Sequence, residues 1–162
     1  MHTRAAELID RFGLAPHPEG GFYREIFRSR DRVQPVDDVR DSRAALTTIL
    51  FLLPEGMHSR WHKVASDEVW HFYEGAPLEL FVAAPDLMSV ERVVLGAAVD
   101  TDGPVFTVAS SCWQAARPRG AFAFVGCTVA PGFEFADFSF LRNDDVALSK
   151  IVRIDRSLLD LA

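Results

Sequence analysis

The chain has 162 residues, 49% of them hydrophobic and among them thirteen Phe and three Trp, enough apolar area for one packed domain over 1–162. Its 17 Lys and Arg stand against 23 Asp and Glu, a formal charge of −6. That balance argues against a nucleic-acid backbone and against an anionic membrane surface, since both demand concentrated positive charge.

Residues 5–14 predict a short amphipathic helix, with Ala5, Leu8, Ile9 and Phe12 on one face and Gly13 as the stop. Pro16 and Pro18 forbid its continuation. A strand is expected at 22–27, with Phe22 and Ile26 on one side and Tyr23 and Phe27 on the other. The charged stretch 30–43, with Pro35 and Asp37-Asp38, reads as an exposed loop. A strand at 47–53 ends in Pro54-Glu55-Gly56, and segments 57–63 and 68–73 are expected to form a hairpin across 64–67.

Further strands follow at 78–83, 90–95, 106–109, 113–116 and 121–125, punctuated by Gly and Pro, and 157–162 predicts a last helical turn. In 133–140 the phenylalanines alternate, skip a beat at Ala136-Asp137 and alternate again. That slip fits a β-bulge or a strand buried on both faces. Short, regularly spaced strands after one helix indicate an all-β sandwich or barrel. The longest apolar run, 49–53, is far too short to cross a bilayer. Glu7, Asp10 and two arginines occupy the start, so no secretory leader is legible, and Cys112 and Cys127 lack paired or metal-knuckle spacing. A reduced, cytoplasmic chain is expected.

The chemistry concentrates at 59–75. His58, Arg60 and His62 alternate along one strand, and Glu68, Trp70 and Phe72 share a face of the next. Strands lie about 4.8 Å apart, so His62 and Glu68 can meet at one ion, whereas His58 sits about 13 Å away along the strand. The amide oxygen of Gln114 offers a third donor. Imidazole, carboxylate and amide together suit one divalent metal: Mn, Fe, Ni or Zn. His71 has the opposite parity from Glu68 and belongs on an outer face or a subunit contact. Arg60 inside a barrel would need Glu25, Glu68, Glu134 or an anionic ligand as partner. The rings of Tyr23, Trp70, Phe72 and Trp113 serve either as core or as a stacking box, core being the default for aromatics. Phosphate-loop, dinucleotide and Gly-x-Ser-x-Gly signatures are missing.

These residues resemble the first cupin motif: Gly56, Arg60-Trp61-His62 where His-x-His is usual, Glu68, and Gly75. One extra residue separates His62 from Glu68, and Gln114 falls at the third-histidine position of the second motif. The stretches His17-Pro18-Glu19-Gly20-Gly21-Phe22-Tyr23, Trp61-His62, Asp67-Glu68-Val69-Trp70-His71 and Pro131-Gly132-Phe133-Glu134 together are similar to those of an uncharacterised cupin-superfamily family. The resemblance implies a double-stranded β-helix, or jelly-roll barrel, that pairs into homodimers and is related to sugar-nucleotide epimerases.

Two functions are then open. The first is an enzyme acting on an anionic or sugar-like substrate in the barrel mouth, either through a metal on His62, Glu68 and Gln114 or, without metal, with His62 as base and Tyr23 as acid. In it Arg60, Trp70, Phe72, Trp113 and Glu134 contact the substrate. The second is a ligand-binding or sensor module with a vestigial metal site.

Overall fold

The computed structural model describes residues 1–36 and 40–162. Helix α1 (Thr3–Phe12) begins where the His2 ring accepts a hydrogen bond from the Arg4 amide, and it ends at Gly13, whose φ of 59° is left-handed. Strands β1 (Ala15–Pro16), β2 (Phe22–Arg28), β3 (Arg32–Val33), β4 (Arg43–Ala44) and β5 (Thr47–Pro54) follow. Next come β6 (Ser59–Val64), β7 (Asp67–Gly75), β8 (Leu78–Ala83), β9 (Glu91–Leu95) and β10 (Val105–Val108). Strands β11 (Trp113–Pro118), β12 (Phe122–Ala130) and β13 (Phe138–Phe140) precede helix α2 (Asp145–Ile154) and a 3-10 helix at Arg156–Leu161.

The strands assemble into two antiparallel sheets, ordered β1-β2-β5-β12-β7-β10 and β13-β6-β11-β8-β9. Period-two alternation assigns their side chains to three apolar layers. Phe51 and Leu53 of β5, Val125 of β12 and Leu78 and Leu80 of β8 meet between the sheets. Leu52, Phe122 and Phe124, one residue out of phase with these, face outward beneath Ala5 and Leu8 of α1. On the other sheet Trp61, Trp113 and Ala115 face outward and are covered by Ala147 and Ile151 of α2 together with Leu158 and Leu161. Each fully buried Leu or Ile in these layers contributes about 1.5–3 kcal/mol. Trp61 Nε1–H also donates to the Leu158 carbonyl at 3.0 Å, tying the C-terminal cover to β6.

Several expectations need correction. Strands β6 and β7 form no hairpin: β6 pairs with β11 and β13 in one sheet, and β7 with β12 and β10 in the other. The 64–67 turn is a corner between sheets, so His62 and Glu68 approach each other across the barrel. Segment 133–140 is neither a bulged strand nor one buried on both faces. A 3-10 turn at Phe135–Asp137 takes up the skipped beat, and only Phe138–Phe140 pairs. Within 30–43, β3 pairs with β4 and Arg43 is buried against Asp137, so its flanks are not a free loop; Asp37-Asp38 lies outside the described residues. Helix α2 was not expected. Asp144 caps it, accepting from the Ala147 amide at 2.9 Å.

Candidate active site

The loop between β1 and β2 delivers two polar side chains to the barrel interior. Gly20 and Gly21 adopt φ of 119° and 67°, and a Cβ on Gly20 would lie 2.0 Å from the His58 carbonyl oxygen. Only glycine fits there. The tight turn closes through the Gly20 amide donating to His17 O, and the Arg60 amide donates to Glu19 O at 2.9 Å, seating the loop on β6. His17 and Glu19 therefore project into the same cavity as His62 and Glu68.

That cavity holds about 320 Å³, at the lower end of the range typical of small-molecule sites. Tyr23, Ile49, Val129, Phe133, Phe135 and Phe138 give it an apolar wall. His62 is 2% exposed and stacks on Phe138 with ring centroids 5.0 Å apart. Its Nδ1 lies 2.7 Å from the Arg60 carbonyl, which only accepts, so Nδ1 carries the proton and donates. The lone pair therefore rests on Nε2, which faces Glu19 Oε2 at 3.4 Å.

Burial sets the protonation of this cluster. Desolvation pushes the Glu19 carboxyl up to about 8. Desolvation, with His62 nearby, pushes His17 down to about 4, and its Nδ1 accepts from the Glu19 amide at 3.2 Å. Burial likewise lowers His62 and raises Glu68. At neutral pH the His62–Glu19 contact thus joins a neutral imidazole to a neutral carboxylic acid.

Glu68 is held from behind. Gln114 Nε2 donates to its Oε2 at 2.6 Å, while Trp70 Nε1–H donates to Gln114 Oε1 at 2.9 Å. Because indole N–H can only donate, this orientation of the amide is fixed. The Cys127 thiol lines the same cavity as Glu68, and burial together with that carboxylate keeps the thiol well above its usual range. Cys127 is therefore no thiolate nucleophile at neutral pH.

The expected site residues separate accordingly. His62, Glu68, Tyr23 and Glu134 line the cavity. Gln114 pairs directly with His62 in register, yet both ends of its amide are engaged by Trp70 and Glu68. It does not offer its oxygen to an ion beside His62 and Glu68, and among the described residues no group of three or more His, Cys, Asp or Glu side chains is placed to hold one. The residues as arranged do not fit the expected metal. Trp70 and Phe72 pack in the interior core. Trp113 faces outward under α2, with Lys63 Nζ 4.4 Å from its ring centroid. Arg60 turns to the Pro18 carbonyl at 3.2 Å and does not line the cavity.

The guanidinium at the cavity is Arg28 instead. Its Nε and Nη2 donate to Glu25 at 3.0 and 2.8 Å, and Nη1 donates to Glu134 at 2.9 Å. Simple alternation would put Glu25 and Arg28 on opposite faces of β2. A register shift between Glu25 and Phe27 against β5 inserts Ile26 and turns both inward.

Comparison with known proteins identifies the family. A family model described as Cupin superfamily (DUF985) matches residues 6–141. A hypothetical protein from Leishmania major is 32% identical with a TM-score of 0.77, over 83% of this chain and 85% of its own. Protein SO0799 from Shewanella oneidensis is 33% identical with a TM-score of 0.75, over 84% and 83%. KdgF from a Halomonas species shares the fold at 12% identity, with a TM-score of 0.52 over 75% of this chain and 90% of its own. No curated protein matches. With its double-stranded β-helix and a match across most of its length, the chain belongs to the DUF985 family of the cupin superfamily.

Proposed function

We propose that this cupin is a small-molecule enzyme of the isomerase or epimerase kind, moving a proton within a hydroxy-carbonyl compound held in the barrel cavity. The observation that carries the reading is His62: its Nδ1–H is fixed on the Arg60 carbonyl, and its Nε2 lone pair opens beside the Glu19 carboxyl. A neutral imidazole is the form of a general base, and a carboxyl raised to about 8 is still a general acid at pH 7.

In the proposed step His62 Nε2 takes the proton from the carbon next to the carbonyl. The C–H electron pair becomes the C=C bond of an enediol, and the carbonyl oxygen receives the Glu19 proton. For the isomer, the His62 imidazolium gives its proton to the neighbouring carbon while the Glu19 carboxylate takes the proton of the other enediol hydroxyl. For the epimer, a Glu68 proton enters the opposite face of the same carbon, Glu19 recovers its proton from the enediol oxygen, and His62 and Glu68 reset by exchange with solvent. The acid role expected of Tyr23 passes to Glu19, which lies in contact with the base; Tyr23 meets His17 edge-on at 4.4 Å and braces it. Glu68, fixed by Gln114, sits across the barrel as a second acid–base group.

The test is turnover of a panel of small hydroxy-aldehydes and hydroxy-ketones by the wild type, His62→Asn and Glu19→Gln. General acid–base catalysis is worth about 10²–10⁴-fold, so each variant should lose about that much in kcat while staying folded. Ligands that bind but are never converted would favour the binding-module reading.

A further inference from the structure

We infer that the cavity selects a compact organic cation, an ammonium group on a small carbon skeleton, rather than an anion. This rests on the reading that the cavity is the functional site. Four carboxyl-bearing residues line it, Glu19, Glu25, Glu68 and Glu134, against one guanidinium, that of Arg28. Arg28 is already engaged, bridging Glu25 and Glu134 and donating to the Phe133 carbonyl at 3.2 Å. An anionic ligand would have to displace one of these partners and leave a carboxylate behind. Arg60, the cation that the motif spacing offered for an anionic ligand, bonds the Pro18 carbonyl instead.

Glu19 and Glu68 remain, 6% and 7% exposed, with no cationic side chain facing them among the described lining residues. Of the two, Glu68 is raised by burial yet accepts the Gln114 amide at 2.6 Å, a donor that favours its charged form, and an ammonium ion beside it would act in the same sense. It is the natural counter-ion for an incoming ammonium, which leaves Glu19 free to keep its proton. The remaining wall adds the rings of Tyr23, Phe133, Phe135 and Phe138. Aromatic faces attract organic cations through their quadrupole and shelter the hydrocarbon part of the same molecule. Carboxylate and ring together describe an amine pocket.

The discriminating probes share one ring and differ in one group: cyclohexylamine, cyclohexanol and cyclohexanecarboxylate, titrated at millimolar concentration with a chelator present throughout. Calorimetry or ligand-observed NMR should rank the amine first, with about tenfold or greater preference over the carboxylate. Glu68→Gln should weaken the amine and leave the alcohol unchanged. Arg28→Gln, which releases Glu25 and Glu134, should sharpen the preference for the amine. Binding of the carboxylate as tightly as the amine, equal response to all three, or no response to any overturns the inference. These readouts do not depend on turnover. An amino-substituted hydroxy-carbonyl compound that binds but is left unchanged tells against proton transfer alone, and conversion of an anionic hydroxy-carbonyl compound supports proton transfer while overturning the cation preference.

Discussion

Replacing Glu19 with Gln is expected to stabilise the protein at neutral pH. In the native state burial raises this carboxyl from 4.5 to about 8. A carboxyl raised on folding contributes most below its unfolded value, and that contribution is lost as pH climbs from 4.5 toward 8. At pH 7 the unfolded chain has ionised this group while the native one has not. Roughly 2.5 pH units of one-sided ionisation at about 1.4 kcal/mol each favour the unfolded state by ~3 kcal/mol; at pH 5 the same effect is ~1 kcal/mol. Gln cannot ionise, and its amide still donates toward His62 Nε2. Urea unfolding at both pH values should show the variant ~3 kcal/mol more stable at pH 7 but only ~1 kcal/mol at pH 5, with an unchanged slope against denaturant. An equal difference at both pH values, or a destabilised variant, would refute the protonation assigned to Glu19.

His17 works in the opposite sense: lowered to about 4, it supports the fold fully above 6.5 and progressively less as pH falls toward 4. Scanned by calorimetry, the melting temperature should peak on the acid side of neutrality, between these opposing slopes. The pH dependence of kcat/KM should fall on the basic side near 8, where Glu19 ionises, and on the acid side below the usual histidine range, where His62 gains a proton. Gln114→Ala would strand the Trp70 N–H and one Glu68 oxygen in a fully buried site, at a cost of ~3 kcal/mol in chemical unfolding. Gly20→Ala, blocked by the His58 carbonyl, should be far worse than Gly56→Ala, where φ is 80° but nothing lies within 4 Å and strain alone costs ~1 kcal/mol; thermal melts of both decide it.

The strands were legible because alternation and Gly/Pro punctuation are local. Which strand pairs with which was not. The alternation of β6 and β7 is the same whether they form a hairpin or turn a corner between sheets, and only the pairings with β11 and β12 decide. Spacing singled out His62 and Glu68, which share one cavity, but it also points Gln114 at a metal, and the oxygen it would offer accepts from Trp70 instead. Nothing near Gln114 in sequence announces that indole. Arg28 was hidden by the inserted Ile26, which breaks the parity rule that would have aimed it outward. Glu19 was within reach: a carboxylate followed by two glycines marks a backbone bent for close approach. Helix α2 had its signal too, in Asp144 three residues before Ala147 and in the four-residue step from Ala147 to Ile151.

The central claim is that His62 abstracts a carbon-bound proton inside the barrel. Incubating the protein with small hydroxy-carbonyl compounds in heavy water, and following deuterium at the carbon beside the carbonyl by NMR, tests it most directly. Wild type should exchange that hydrogen, and His62→Asn, folded to the same melting temperature, should not. Exchange that persists in His62→Asn, or a bound hydroxy-carbonyl ligand that never exchanges in the wild type, would contradict the claim.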